Sequence, residues 1–370
     1  MKTSAHIPEL DGIRGIAVLM VLVYHGYFFS FEPSENWAAR LASFGISGVD
    51  LFFVLSGFLI TGILLDAKGR PGYFRNFYAR RALRIWPLYY LLLVLSFGLA
   101  PLLLVHFHLH PGELQLIEDR NKFVYIFLLQ NLWYGAVVGP KVVAVTWSLA
   151  VEEQFYIAWP WLVFLCSRKV LAWISAAMFV LSPFVRYWAW RHGVNLGTMA
   201  FVTWFRLDGL SLGALLALYR QSTFFSLRHM KWLALAALAA GVPPSMWILD
   251  GHSNFLWPAL YSALAVGSVG AVSVAIWCSQ TDSIFRRALR SGWLRYSGKI
   301  SYCLYLVHVP VYYGLVDIFA RSRFGAGTGA AFSLMVAGMV GSFIVATLSW
   351  YLFESQILKL KTRLQYTPQA

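Results

Sequence analysis

Residues 13–31, "IRGIAVLMVLVYHGYFFSF", decide how the rest of the chain is read. The run is long enough to cross a bilayer as a helix, which takes about 20 apolar residues. Past Arg14, His25 is its only ionisable side chain apart from Tyr24 and Tyr27. A helix entering the membrane near Ile13 places His25 about 18 Å along its axis, just beyond the midplane. Such a histidine either satisfies itself on a neighbouring backbone carbonyl or serves a function, since ionisable groups at that depth are costly.

Apolar runs of the same kind recur at about 48–65, 85–106, 122–138, 147–166, 170–190, 200–219, 231–250, 256–279, 300–320 and 333–353. The chain has 370 residues, 59% hydrophobic and 12% charged, against about 25% charged in soluble domains. It is therefore expected to be an all-α integral membrane protein. Basic clusters lie at Lys68 to Arg84, Arg168-Lys169, Arg220 to Lys231, Arg286 to Lys299 and Lys359 to Arg363. Short cytoplasmic loops are the ones rich in Lys and Arg. The clusters share one side only if the weak run at 122–138, with Gln130 and Asn131, does not cross. The expectation is about ten transmembrane helices, both termini cytoplasmic, with a re-entrant or surface segment near 122–146 on the outer face. Residues 1–370 read as a single domain without a cleavable signal peptide. The +14 charge then belongs to membrane orientation and not to nucleic-acid binding. Cys166, Cys278 and Cys303 have no metal-ligand spacing, and neither a disulfide framework nor a metal site is expected.

Further polar residues acquire positions on this layout. Asp11 and Arg14, three apart, either pair locally or serve a ligand together. Arg14 and His25 are eleven residues apart and share a helix face, about 16 Å from one another along the axis. In "YFRNFYARRALRIWPLYY" (73–90), read as the loop after the second span, Arg81 and Arg84 share a face at i, i+3. Arginine forks suit phosphate oxygens; anionic lipid headgroups are the plainer use of such a stretch. In "TWSLAVEEQFY" (146–156) Glu152 lies about 8 Å into its helix and approaches His25 from the other leaflet, whereas Glu153 points elsewhere. Alternatively, Glu152 has an ion-pairing or helix-end role. Asp50, Arg206, Asp208 and His308 are also intramembrane candidates. Arg206 and Asp208 either neutralise one another or face substrate; His308 either serves packing before Pro310 or faces substrate.

Together the stretches "LDGIRGIAVLMVLVYH", "GVDLFFVLSGFLIT", "YARRALRIWPLYY", "TWSLAVEEQFY", "FRLDGLSLG" and "ISYCLYLVHVP" resemble, in order and spacing, the acyltransferase 3 family of bacterial integral-membrane acyltransferases. They run from residue 10 to 310. The resemblance implies a fold of about ten helices, in accord with the parity argument. It implies that His25 is the essential intramembrane histidine and that Arg14 belongs to the acyl-donor site. Arg81 with Arg84 corresponds to the paired-arginine motif, and Glu152 to the acidic position of the Trp-Ser-Leu segment. Many relatives carry a fused SGNH-type domain, and this chain reads as the stand-alone form.

The implied activity is transfer of an acyl group, most simply acetyl, from cytoplasmic acyl-CoA to a hydroxyl of a cell-envelope sugar or related acceptor on the outer side of the bacterial inner membrane. The donor's phosphates are expected at Asp11, Arg14, Arg81 and Arg84. Asp50, Arg206, Asp208 and His308 are the expected acceptor-side residues. Neutral His25 is the expected general base, oriented by Glu152; an acyl-histidine intermediate is the alternative. A transporter or flippase of a lipid-linked sugar is the rival function, and a purely structural or sensor protein is another.

Overall fold

The computed structural model describes residues 6–31, 36–99, 122–133, 141–251, 254–321 and 327–364. Among these the regular elements are all helical. The principal helices are α1 (Pro8–Ser30), α2 (Trp37–Phe44), α3 (Ser47–Ala67), α4 (Tyr73–Val94), α5 (Thr146–Leu165), α6 (Arg168–Arg191), α7 (Leu207–Arg220), α8 (Leu227–Leu249), α9 (Trp257–Cys278), α10 (Gly292–Lys299), α11 (Ser301–Arg321) and α12 (Thr328–Ser349).

Among the described residues, seven segments are long and apolar enough to cross a membrane: Pro8–Ser30, Trp37–Ala67, Tyr73–Leu99, Arg168–Arg191, Leu227–Leu249, Trp257–Cys278 and Thr328–Lys361. The chain is a multi-pass helical membrane protein. The other three runs expected to cross are also helical, but each departs from a plain apolar span. Helix α5 carries the adjacent Glu152 and Glu153, α7 has 14 residues, and α11 is apolar over Ser301–Val316. Helix α7 is short because Arg206, at φ −123°, breaks it from the short helices Leu196–Phe201 and Thr203–Phe205.

Two local expectations change. The basic segment from Tyr73 is not a loop: α4 starts there, after Gly72 at φ +73°, because Arg, Ala and Leu are good helix formers. Arg80, Arg81 and Arg84 are therefore rigidly spaced. The 122–146 segment contains no spanning helix among its described residues. It holds the one-turn helices Phe123–Ile126 and Gln130–Trp133 and a 3₁₀ turn at Lys141–Val143; residues 134–140 lie outside the described residues. Backbone groups freed by this break are taken up by buried and half-buried side chains. Tyr89 donates to Tyr125 O at 2.7 Å, and Gln154 to Leu128 O at 2.8 Å. That is the condition for irregular backbone within a membrane protein.

Helices α3 and α9 are buried nearly all round, whereas α6, α8 and α12 turn most of their apolar side chains outward, as lipid-facing helices do. Small residues set the central crossings. A Cβ on Gly57 would collide with Leu210 O, and one on Gly213 with Val54 O, so α3 and α7 touch backbone to backbone. Gly12 and Gly15 of α1 likewise meet Leu289 O and Leu294 O, and Gly298 of α10 meets Asp11 O. Arg290 and Arg286 clamp the same joint by donating to the buried Glu9 carboxylate at 2.7 and 3.3 Å. This fixes the start of α1, and with it Arg14.

Candidate active site

His25 meets another histidine. Its Nδ1 lies 3.1 Å from Val21 O on the preceding turn and 3.2 Å from His308 Nε2 of α11. The other nitrogen of His308, Nδ1, lies 3.1 Å from Leu304 O. These contacts set the tautomers of the neutral pair. A carbonyl only accepts, so His308 Nδ1 carries hydrogen and its Nε2 is a lone pair. Two acceptors then face His25 Nδ1, which must be its N–H. His25 Nε2 is left with a lone pair, the form a general base requires. The bland reading of His25 as self-satisfied on a carbonyl accounts for one of its two nitrogens only.

A cavity of about 220 Å³ lies between α1, α3, α4, α5 and α11; neither histidine lines it, and Tyr305 is the lining residue in ring contact with His308. Arg14, Arg81 and Arg84 line one part of it, together with Ser56, Glu152 and Tyr156. Glu152 is held there and does not orient His25: it accepts from Ser56 Oγ at 2.6 Å and from Tyr156 OH at 3.2 Å. The Arg81 guanidinium lies over the Tyr156 ring, 5.4 Å from its centroid. Glu153 points away, accepting from Trp86 Nε1 at 3.1 Å. Tyr305 and Ser148 also line the cavity and share a 2.6 Å hydrogen bond. The Tyr305 ring is 5.8 Å from that of His308, so Tyr305 stands between the cavity and the histidine pair.

At the start of α1 the protein is strongly cationic. Arg14 and Arg84 border the intramembrane cavity and two larger ones, of about 400 and 740 Å³. Asp11 borders both larger cavities but is not paired with Arg14; its partner is His6, at 2.9 Å. Residues brought together here come from α1 and α4, whose sequence separation gives no sign of it.

Of the two alternatives for Arg206 and Asp208, mutual neutralisation does not occur. Arg206 pairs with Asp50 at 2.8 Å, and Asp208 pairs with Arg186 at 2.9 Å, all four side chains being buried. Arg206 also lies over the Tyr261 ring at 3.8 Å. Arg186 donates to Pro258 O and Ser262 Oγ, both at 2.6 Å, and to Phe205 O. This lattice ties α6, α7 and α9 together. Arg186 was missed by sequence reasoning, although a lone arginine within the apolar run of α6 is itself a signal. Ser56, Ser148, Tyr156 and Tyr305 were missed for a plainer reason: hydroxyls inside apolar helices commonly bond their own backbone.

The family model described as an acyltransferase domain, acyltransferase 3, matches residues 7–351. A putative peptidoglycan O-acetyltransferase of Bacillus subtilis, YrhL, is 31% identical over 84% of this chain and 49% of its own. The peptidoglycan O-acetyltransferase OatA of Listeria monocytogenes is 28% identical over 96% of this chain and 56% of its own. The O-acetyltransferase OatA of Staphylococcus aureus is 25% identical, over 97% and 58%. The chain thus spans about half the length of these relatives. No solved structure matches it. With the match running from the entrance of α1 to the end of α12, the chain belongs to the acyltransferase 3 family.

Proposed function

We propose that this protein is a membrane O-acyltransferase that moves an acyl group, most simply acetyl, from acyl-CoA to a hydroxyl of an envelope glycan. Peptidoglycan is the acceptor named for two of its relatives. The layout that goes with this reading is ten crossings of the bacterial inner membrane with both termini cytoplasmic. The observation that carries it is the oriented histidine pair, with a bare His25 Nε2 about 16 Å along α1 from Arg14.

In this reading the donor's diphosphate binds at Arg14, Arg81 and Arg84, and its pantetheine arm enters the intramembrane cavity. Glu152, held by Ser56 and Tyr156, balances the arginines and keeps them spaced. The thioester reaches the histidines when the Tyr305 side chain turns aside. His25 Nε2 takes the proton of the acceptor hydroxyl as its oxygen attacks the thioester carbonyl. Collapse of the tetrahedral intermediate breaks the C–S bond, and the proton on His25 passes to the thiolate, giving the O-acyl product and free CoA. His308 Nε2 accepts from the Nδ1–H of the transient imidazolium and stabilises it.

The test is transfer of labelled acetyl from acetyl-CoA to peptidoglycan fragments by the purified protein in lipid nanodiscs. Wild type is expected to acetylate the acceptor, and His25→Ala to lose transfer while keeping its thermal stability. Normal turnover in His25→Ala would remove the histidine from the mechanism.

A further inference from the structure

The larger cavity at the start of α1 is lined by Arg14, Arg80, Arg81, Arg84, Arg220 and Lys361, with Asp11 and Asp66 as its carboxylates. None of the six basic side chains forms an ion pair among the described residues. Both acids are already engaged, Asp11 with His6 at 2.9 Å and Asp66 with Gln221 at 3.1 Å. All six cations are half-buried. So many like charges crowded out of bulk water call for a polyanion.

The six fall into two tiers. Arg14, Arg81 and Arg84 also border the intramembrane cavity, whereas Arg80, Arg220 and Lys361 do not. Arg220 ends α7 and Lys361 follows α12, and neither has a place in the chemistry derived above. Acyl-CoA carries phosphate at two separated points: the diphosphate next to pantetheine, and a 3′-phosphate on the ribose. A donor whose pantetheine lies in the intramembrane cavity puts its diphosphate on the inner tier and its ribose beyond it. We infer that Arg220 and Lys361 bind the 3′-phosphate of the donor's nucleotide, an inference that rests on acyl-CoA being the donor.

The dimensions agree, since about 740 Å³ is within the usual range of ligand cavities. Phe58 and Phe225 supply apolar wall for the base, and the Arg220 guanidinium lies 5.8 Å from the Phe58 ring centroid. The neighbouring cavity is a weaker candidate. It is smaller, about 400 Å³, its Arg295 and Lys299 share it with Glu354, and Lys299 lies over the Trp350 ring at 4.5 Å.

The experiment compares acetyl-CoA with 3′-dephospho-acetyl-CoA in zwitterionic nanodiscs, at one ionic strength because phosphate contacts are screened by salt. Wild type is expected to show a KM about tenfold or more higher for the dephospho donor, with kcat unchanged, as loss of a charge-assisted contact implies. Arg220→Ala/Lys361→Ala should raise KM for acetyl-CoA alone, so that the preference collapses, while Arg295→Ala/Lys299→Ala keeps it. Equal KM values in wild type, or a preference that survives in the first double variant, would overturn the site while leaving acyl-CoA as donor. A defect seen only when anionic lipid is added would assign these residues to lipid headgroups and overturn it as well. Absence of transfer from either donor in wild type removes the donor reading and the site with it.

Discussion

His308 Nε2 lies 3.2 Å from His25 Nδ1, across 283 residues of sequence, while His308 Nδ1 lies 3.1 Å from Leu304 O. The second contact dictates which nitrogen of His308 can accept, and the first passes that choice on to His25. In the proposed mechanism this makes His308 a positioning residue that acts through His25, an alternative to the substrate contact expected from the sequence.

That difference is measurable. His308→Ala removes one acceptor from His25 Nδ1–H but leaves Val21 O in place. We expect kcat to fall about ten- to a hundredfold, the worth of about 1.5–3 kcal/mol for a hydrogen bond to a charged group, with KM for both substrates nearly unchanged. His308→Gln, which keeps an acceptor, should recover part of the rate. A rise in acceptor KM with constant kcat would return His308 to the substrate-binding role.

The adjacent glutamates should separate cleanly. Glu152 lines the cavity that holds Arg14, Arg81 and Arg84, whereas Glu153 accepts from Trp86. Glu152→Gln is expected to reduce acyl transfer about tenfold or more, by loss of the charge that balances the arginines. Glu153→Gln should stay within about twofold. Equal losses in initial-rate assays would count against the cavity as the donor's path.

Arg186 is expected to matter for folding and not for chemistry. Replacing it by Met leaves the buried Asp208 without its counter-charge, with hydrogen bonds from Ser262 Oγ and the Gly209 N–H still in place; breaking a buried pair costs about 3–5 kcal/mol. The readouts are Tm and monodisperse yield in detergent. Adding Asp208→Asn to Arg186→Met should restore part of the loss, because the stranded charge is then gone. No recovery would mean that the hydrogen bonds to Pro258 O and Ser262 dominate.

Close helix contact at α3 and α7 gives a steric prediction. Gly57→Val and Gly213→Val drive a side chain into a facing carbonyl and should each destabilise by about 3 kcal/mol or more. Gly62→Ala, where a new Cβ meets nothing within 4 Å, is the matched control within α3. Thermal unfolding of the three variants checks it, and a Gly57→Val protein as stable as the control would contradict the crossing.

What the sequence determined by itself is local in origin. Hydropathy over about twenty residues marked an apolar run on each helix that was expected to cross, although α4 begins at Tyr73, in what the sequence read as a loop, and residues 100–106 of its run lie outside the described residues. Isolated polarity marked His25, and the spacing of charged residues marked Arg14, Arg84 and Glu152. Both signals depend only on neighbours along the chain. Tertiary structure decided the partners: Asp50 with Arg206 and Asp208 with Arg186, Glu152 with Ser56, and His25 with His308. A side chain's partner depends on how each helix is rotated about its axis and which helix lies beside it. Those are fixed by backbone contacts such as Gly57 on Leu210 and Gly15 on Leu294, which join residues far apart in sequence and leave no periodicity to read. The same reason hid Arg186, whose apolar helix looks complete until the acid that needs it is packed against it.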